Sequence, residues 1–336
     1  MRMTRFAFVV SGYMLATVTL GASPAAAQAE RRPSRPPATD QTVPVQKGQR
    51  LQIQNFAGEV VVKAWNKDEL RVVADHDSRA KVDVRTAGVE ISVSASRSGA
   101  PGSVDYTISV PAWLPVRVNG TYNFVSIEGT QSDVSVETTR GDVTLKGGSG
   151  VVSLKSIEGE IIVEDARGKL KLDTVNEGIR IRGATGDITA TTINGDIRML
   201  GMKAASLEAT TVNGDIIYEG AVADGFYRCS THNGDITLAL PENASASVSV
   251  RTYQGDMRSS FPLAGDASEG GRGRRRRFTL GNGAAQIEME SFGGDVRIRK
   301  IGEVSLEPKR KVKHDGEHAH ADASLPAGVP DLCPTP

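Results

Sequence analysis

Carboxylates recur through this chain at a nearly constant spacing. A six-residue unit, T-x-x-G-D-[I/V], reads TTRGDV at 138–143, TINGDI at 192–197, TVNGDI at 211–216 and THNGDI at 231–236. It reads TYQGDM at 252–257 and SFGGDV at 291–296, with the variants SIEGEI at 156–161 and TVNEGI at 174–179. The acidic position is Asp142, Glu160, Asp196, Asp215, Asp235, Asp256 and Asp295, and Gly178 stands at the remaining one. Stacked about 5 Å apart, such charges repel unless they are solvated, hydrogen-bonded or bridged by cations. Calcium takes carboxylate and carbonyl oxygens, so a cation ladder is one chemistry open to them. The favoured alternative is that each Asp closes its turn by accepting backbone N–H groups. Arg140-Gly141-Asp142 spells a cell-attachment tripeptide, but as one instance of x-G-D it is read as part of the repeat.

Three other groups could carry chemistry. GGRGRRRRF at 270–278 places Arg272, Arg274, Arg275, Arg276 and Arg277 within six positions. Guanidinium forks suit phosphate and carboxylate, so this run is the candidate anion site. It interrupts the repeat and is expected to project as a loop. His314, His318 and His320 stand among Asp315, Glu317 and Asp322, a weak candidate set for Zn²⁺ or Ni²⁺ with nothing to organise it. Cys229 falls on an inward column between Ala209 and Val250, as a buried thiol would, and Cys333 lies near the C-terminus. His232, placed beside Val212 and Tyr253, reads as packing. No G-x-S-x-G, H-E-x-x-H or P-loop is present, no cofactor is implied, and the chain is read as a non-enzyme. The 40 basic and 40 acidic residues cancel, which removes the electrostatic footprint of a nucleic-acid binder.

The elements that must hold these residues are strands. The acidic positions step by 18, 18, 18, 19, 20, 21 and 39 residues, the last being about two repeats with an insertion inside it. Apolar residues follow one and three places after the acidic positions, Ser259 excepted, and again six and eight places before them: Ile197 and Met199, Ala190 and Ile188, for example. Spacing by two puts them on one face of a strand. A period near 19 filled this way specifies an all-β, single-stranded β-helix, a β-solenoid with coils of about 18–21 residues. Such a core needs few aromatics, in keeping with their 5% share. Asn194, Asn213 and Asn233 precede the glycine of their corners. Asn-Gly suits a turn needing positive φ, and stacked amides can bond one another.

The remaining chain divides by composition. Residues 1–29 have a basic start, an apolar run from Phe6 to Leu20 and an A-x-A site at 27–29, the pattern of a cleaved signal peptide. Its removal leaves a net charge near −2 and no apolar run long enough to span a membrane. Residues 30–44 are Pro-rich and read as a linker, 45–306 as the solenoid, and 307–336 as a disordered tail. Within the solenoid, 45–120 is an irregular capping part of N-terminal strands. Residues 121–306 carry the regular repeats, with the Arg-rich insertion near 262–283.

The order GEVVVKAWNKDELRV, VDYTISVPAWLPVRV and then serial TxNGDI units resembles the bacterial putative-adhesin family of β-strand-repeat proteins, similar in style to the autotransporter adhesin head domain. The resemblance spans about residues 50–300. It implies a β-helix-like solenoid, a periplasmic or extracellular location and no known catalytic residues. The function expected is an exported adhesin-like binding or structural module at the cell envelope, meeting an envelope glycan, lipid or protein. A regulatory, sensor-linked protein-binding module is the alternative, and a carbohydrate-active β-helix enzyme a third.

Overall fold

The computed structural model describes residues 38–97, 102–262 and 275–303. Among the described residues there are 23 strands and no helix. The N-terminal strands are β1 (Thr39–Pro44), β2 (Arg50–Trp65), β3 (Glu69–Asp75), β4 (Ala80–Ala87), β5 (Glu90–Arg97) and β6 (Asp105–Pro111). The regular part opens with β7 (Val116–Glu128), β8 (Val134–Arg140), β9 (Val143–Lys146), β10 (Val151–Glu158) and β11 (Ile161–Glu164). It continues with β12 (Arg167–Asp173), β13 (Ile179–Arg182), β14 (Thr185–Thr191) and β15 (Ile197–Asn213). Then come β16 (Ile216–Gly220), β17 (Phe226–Asn233), β18 (Ile236–Leu240), β19 (Ala246–Thr252) and β20 (Met257–Ser259). The C-terminal strands are β21 (Arg275–Leu280), β22 (Ala285–Ser291) and β23 (Val296–Lys300).

Successive coils stack in parallel, and the apolar columns expected from the spacing are the columns of the core. On one side Val134, Val152, Leu170, Ile188, Leu207 and Tyr227 lie in register. On the other, Val143, Ile161, Ile179, Ile197, Ile216 and Ile236 do the same. All twelve are buried in one continuous hydrophobic cluster. The alternation of burial along each strand is the direct cause: every second side chain turns inward, and the polar ones between face out.

The stack reaches further back than the regular motif. β2 pairs in parallel with β7 along nearly its whole length, so the expected capping part already contains a full coil. β5 and β6 add to the two halves of β2, and β4 and β3 then close against them in antiparallel fashion. β1 pairs antiparallel with β3, so residues 39–44 belong to the folded sheet and not to the linker expected there. Antiparallel closure changes the strand direction at the end of the stack, one way of blunting an edge that would accept another strand.

At the other end the coils do not stack in chain order. β22 and β23 pair with β17 and β18, and the earlier strands β19 and β20 pair with β22 and β23 from the far side. The SFGGDV coil therefore sits between the THNGDI and TYQGDM coils. β21 closes the stack antiparallel to β19. The expected loop over the Arg-rich insertion is thus a strand from Arg275 onward.

Candidate functional site

The T-x-N-G-D corner is a set of ladders running from coil to coil. Thr174, Thr192, Thr211, Thr231 and Ser291 are buried, and each hydroxyl donates to a backbone carbonyl of the preceding coil at 2.9–3.1 Å. Asn194, Asn213 and Asn233 donate their amides to Asn176, Asn194 and Asn213 at 3.2, 2.9 and 2.8 Å. The glycine is fixed by close approach. A Cβ on Gly159, Gly214, Gly234, Gly294 or Gly255 would lie 2.0 Å from the carbonyl oxygen of the neighbouring corner glycine. Gly195, Gly214 and Gly234 do not adopt the left-handed φ expected for an Asn-Gly turn. Their requirement comes from the coil beneath.

The carboxylates are spent in the same way. Asp142 accepts the N–H of Glu160 at 2.8 Å, Asp196 that of Asp215 at 3.0 Å, and Asp215 that of Asp235 at 2.8 Å. Asp235 accepts from Asp295 and Asp295 from Asp256, at 2.8 and 2.9 Å. Each of these five aspartates thus bonds the equivalent residue of the next coil rather than its own turn. Outward arginines offset the charge. Arg180 meets Glu160 at 2.7 Å, Arg198 meets Asp196 at 2.9 Å, and Arg297 bridges Asp235 and Asp295 at 2.6 and 2.8 Å. The N–H of Asp256, followed by Arg297, holds the Asp295 carboxyl below the usual aspartate range. Burial raises that of Glu160, and Arg180 only partly opposes it. Among the described residues no cluster of three His, Cys, Asp or Glu side chains could hold a metal ion.

The other candidates separate. Arg275 and Arg277 are exposed on β21, whereas Arg276 is half-buried opposite Val250, on the side that faces the core. Arg272 and Arg274 lie outside the described residues, as do His314, His318, His320 and Cys333. Beside the strand, Arg228 pairs with Glu288 at 2.9 Å and Arg251 with Glu290 at 3.5 Å. Cys229 is a free, buried thiol between Ala209 and Met289, and not Val250. Burial pushes its pKa up to about 12, so it is a packing group rather than a nucleophile.

One surface was not anticipated from the sequence. The variable residue after each corner Thr or Ser faces outward, and these residues form a row: Ile157, Val175, Ile193, Val212, His232, Phe292 and Tyr253. His232 is exposed, and its ring stacks on Phe292 at 4.8 Å with an interplanar angle of 8°. Tyr253 follows at 5.1 Å from Phe292. The expected neighbours of His232 were Val212 and Tyr253, and packing its expected role. The reordered coils put Phe292 there instead, on the surface. The signal was present in the motif itself, because the second position of the unit is apolar or aromatic in seven of the eight units once His is included.

No curated protein matches the chain significantly. Among solved structures, a putative cell adhesion protein from Clostridium sporogenes shares 12% identity, with a TM-score of 0.21, over 78% of this chain and 99% of that one. Putative adhesins from Parabacteroides merdae and Parabacteroides distasonis each share 11% identity over 77% of this chain. The match covers 95% and 96% of those chains, with TM-scores of 0.36 and 0.37. The Toastrack DUF4097 family matches residues 48–299, from the first full coil through the last, and the chain belongs to that family.

Proposed function

We propose that this protein is an exported, non-enzymatic binding or structural module of the cell envelope, adhesin-like in using one rigid repeated surface for many equal contacts. The observation that carries this reading is the corner ladder. It holds an outward apolar or aromatic side chain at nearly the same spacing on coil after coil, which is how weak contacts become avid ones. The corner carboxylates accept N–H bonds from neighbouring coils and pair with arginines, so they do not converge as an acid and base on a substrate. Export rests on the pattern of residues 1–29. The Arg272–Arg277 run adds attraction to envelope phosphates or acidic glycans.

The test is co-sedimentation of the purified protein with isolated envelope fractions at low and high salt. The expected result is binding that weakens with salt and weakens further when Arg272 and Arg274–Arg277 are neutralised. Absence of binding at both salts would refute the module reading and turn the search to a soluble protein partner.

A further inference from the structure

We infer that the outward row from Ile157 to Tyr253, with the asparagine ladder beside it, is a binding track for a neutral linear polysaccharide. The inference rests on the envelope-module reading and names its ligand class. Ile157, Ile193, Val212, Phe292 and Tyr253, from five of the seven coils in the row, are each 39–45% exposed, high for large apolar side chains so close together. At one end the rings of His232, Phe292 and Tyr253 stack on one another, so they offer a continuous apolar edge rather than open faces, against which the C–H side of a sugar ring packs.

The second row supplies the polar half of the match. A carboxamide has two N–H donors and two acceptor lone pairs. Within the ladder, Asn194 and Asn213 each spend one N–H and one lone pair on their neighbours. Each keeps one donor and one acceptor, the pairing that a sugar hydroxyl reciprocates. Asn176, Asn194, Asn213 and Asn233 are all exposed.

Charge and size select among occupants. Beyond Glu158, which is paired with Arg140, the two rows carry no carboxylate, lysine or arginine as far as Tyr253 and Gln254. The one cation against them, Arg251 at 5.9 Å from the centre of the Tyr253 ring, is already paired with Glu290, so an acidic glycan would find no unpaired counter-charge among the described residues of the track. Seven coils at ~4.8 Å give a track of about 29 Å. Two side chains wide, it offers a few hundred Å², short of the ~800 Å² per partner of a stable protein interface. A polymer one sugar wide, with a ring repeat close to the coil spacing, fits that footprint; a second copy of the chain does not fill it.

The test is affinity electrophoresis of the full chain in gels containing hydroxyethylcellulose, galactomannan or, as the acidic arm, polygalacturonate. Retardation is expected with a neutral polymer and should persist at high salt. Phe292→Ala and Tyr253→Ala should each weaken it about tenfold. Asn213→Asp, which keeps the shape but replaces the amide donor with a charge, should weaken it as well. Thermal unfolding of each variant separates lost binding from lost folding. Absence of retardation by either neutral polymer, or equal retardation of wild type and the Phe292 variant, overturns the track. If envelope co-sedimentation persists in that case, the module reading survives and only the ligand is wrong. Salt-sensitive retardation confined to polygalacturonate also overturns the track, as does a dimer in sedimentation that Phe292→Ala dissolves.

Discussion

Replacing Gly214 by alanine isolates the interaction on which the coil spacing depends. The added Cβ would stand 2.0 Å from the Gly195 carbonyl oxygen and 2.5 Å from its carbon. Carbon and oxygen need more than 3 Å, so the two coils must part locally by about 1 Å. Several hydrogen bonds cross that corner, and four lie nearest the added methyl. Thr211 donates to Gly195 at 3.0 Å, Asn213 to Asn194 at 2.9 Å, Asp215 N–H to Asp196 at 3.0 Å and Gly195 N–H to Asn213 at 3.0 Å. Lengthened by 1 Å, none remains a hydrogen bond. Losing two or three at ~1 kcal/mol each costs about 2–4 kcal/mol. Gly88→Ala is the reference: nothing lies within 4 Å of its added Cβ, and the penalty comes from its φ of +59° alone, at roughly 1 kcal/mol. Urea unfolding followed by circular dichroism would read the difference as a midpoint shift of about 1 M for Gly214→Ala and a third of that for Gly88→Ala. A Gly214→Ala shift no larger than that of Gly88→Ala would refute the close-approach argument.

Three more predictions follow from the same geometry. The Asp295 carboxyl is held below its ordinary value in the folded chain, so its contribution is full above pH ~4 and disappears as pH falls through the native value. Urea midpoints taken from pH 7 to 3 should fall, and fall less in Asp295→Asn; parallel curves would remove the linkage. In a Cys333→Ser background, Cys229 should resist a disulfide reagent at pH 8 until the protein unfolds, because it is 2% exposed and its thiol is protonated. Labelling of the folded protein within minutes would contradict its burial. β21 pairs with β19 alone among the described residues, and arginine on both of its faces deters further pairing. Replacing Arg275, Arg276 and Arg277 by Thr, Val and Thr should raise light scattering on storage several-fold; unchanged scattering would mean that the edge is protected by other means.

The repeat made most of the architecture legible before any coordinates. Strand alternation depends only on which residues are apolar, so the inward columns at Ile188, Leu207 and Tyr227 could be placed from spacing alone. The Asn ladder and the Thr or Ser column were visible as recurring residue types. Other features were not. Whether Asp215 would bond its own turn or the next coil depends on the distance between coils, which no single coil contains. The corner glycines look like positive-φ residues in one dimension and are close-approach residues in three. Arg275–Arg277 look like a loop because they break the motif, yet β19 offers them an open edge.

The sequence by itself determined that this chain is a stack of β-coils, which side chains fill the core and which repeat along each corner. The reason is physical: a strand's period of two and a coil's period near 19 are local properties of the residues. Only the tertiary structure decided the order of the final coils. TYQGDM and SFGGDV carry the same corner motif, so the motif alone does not order them, although Ser259 stands where the SFGGDV coil has the buried Ile298. The choice between them is made by long-range pairing, in which β22 rests on β17 and leaves β19 to the end of the stack. That choice brings Phe292 against His232, and with it forms the aromatic end of the outward row.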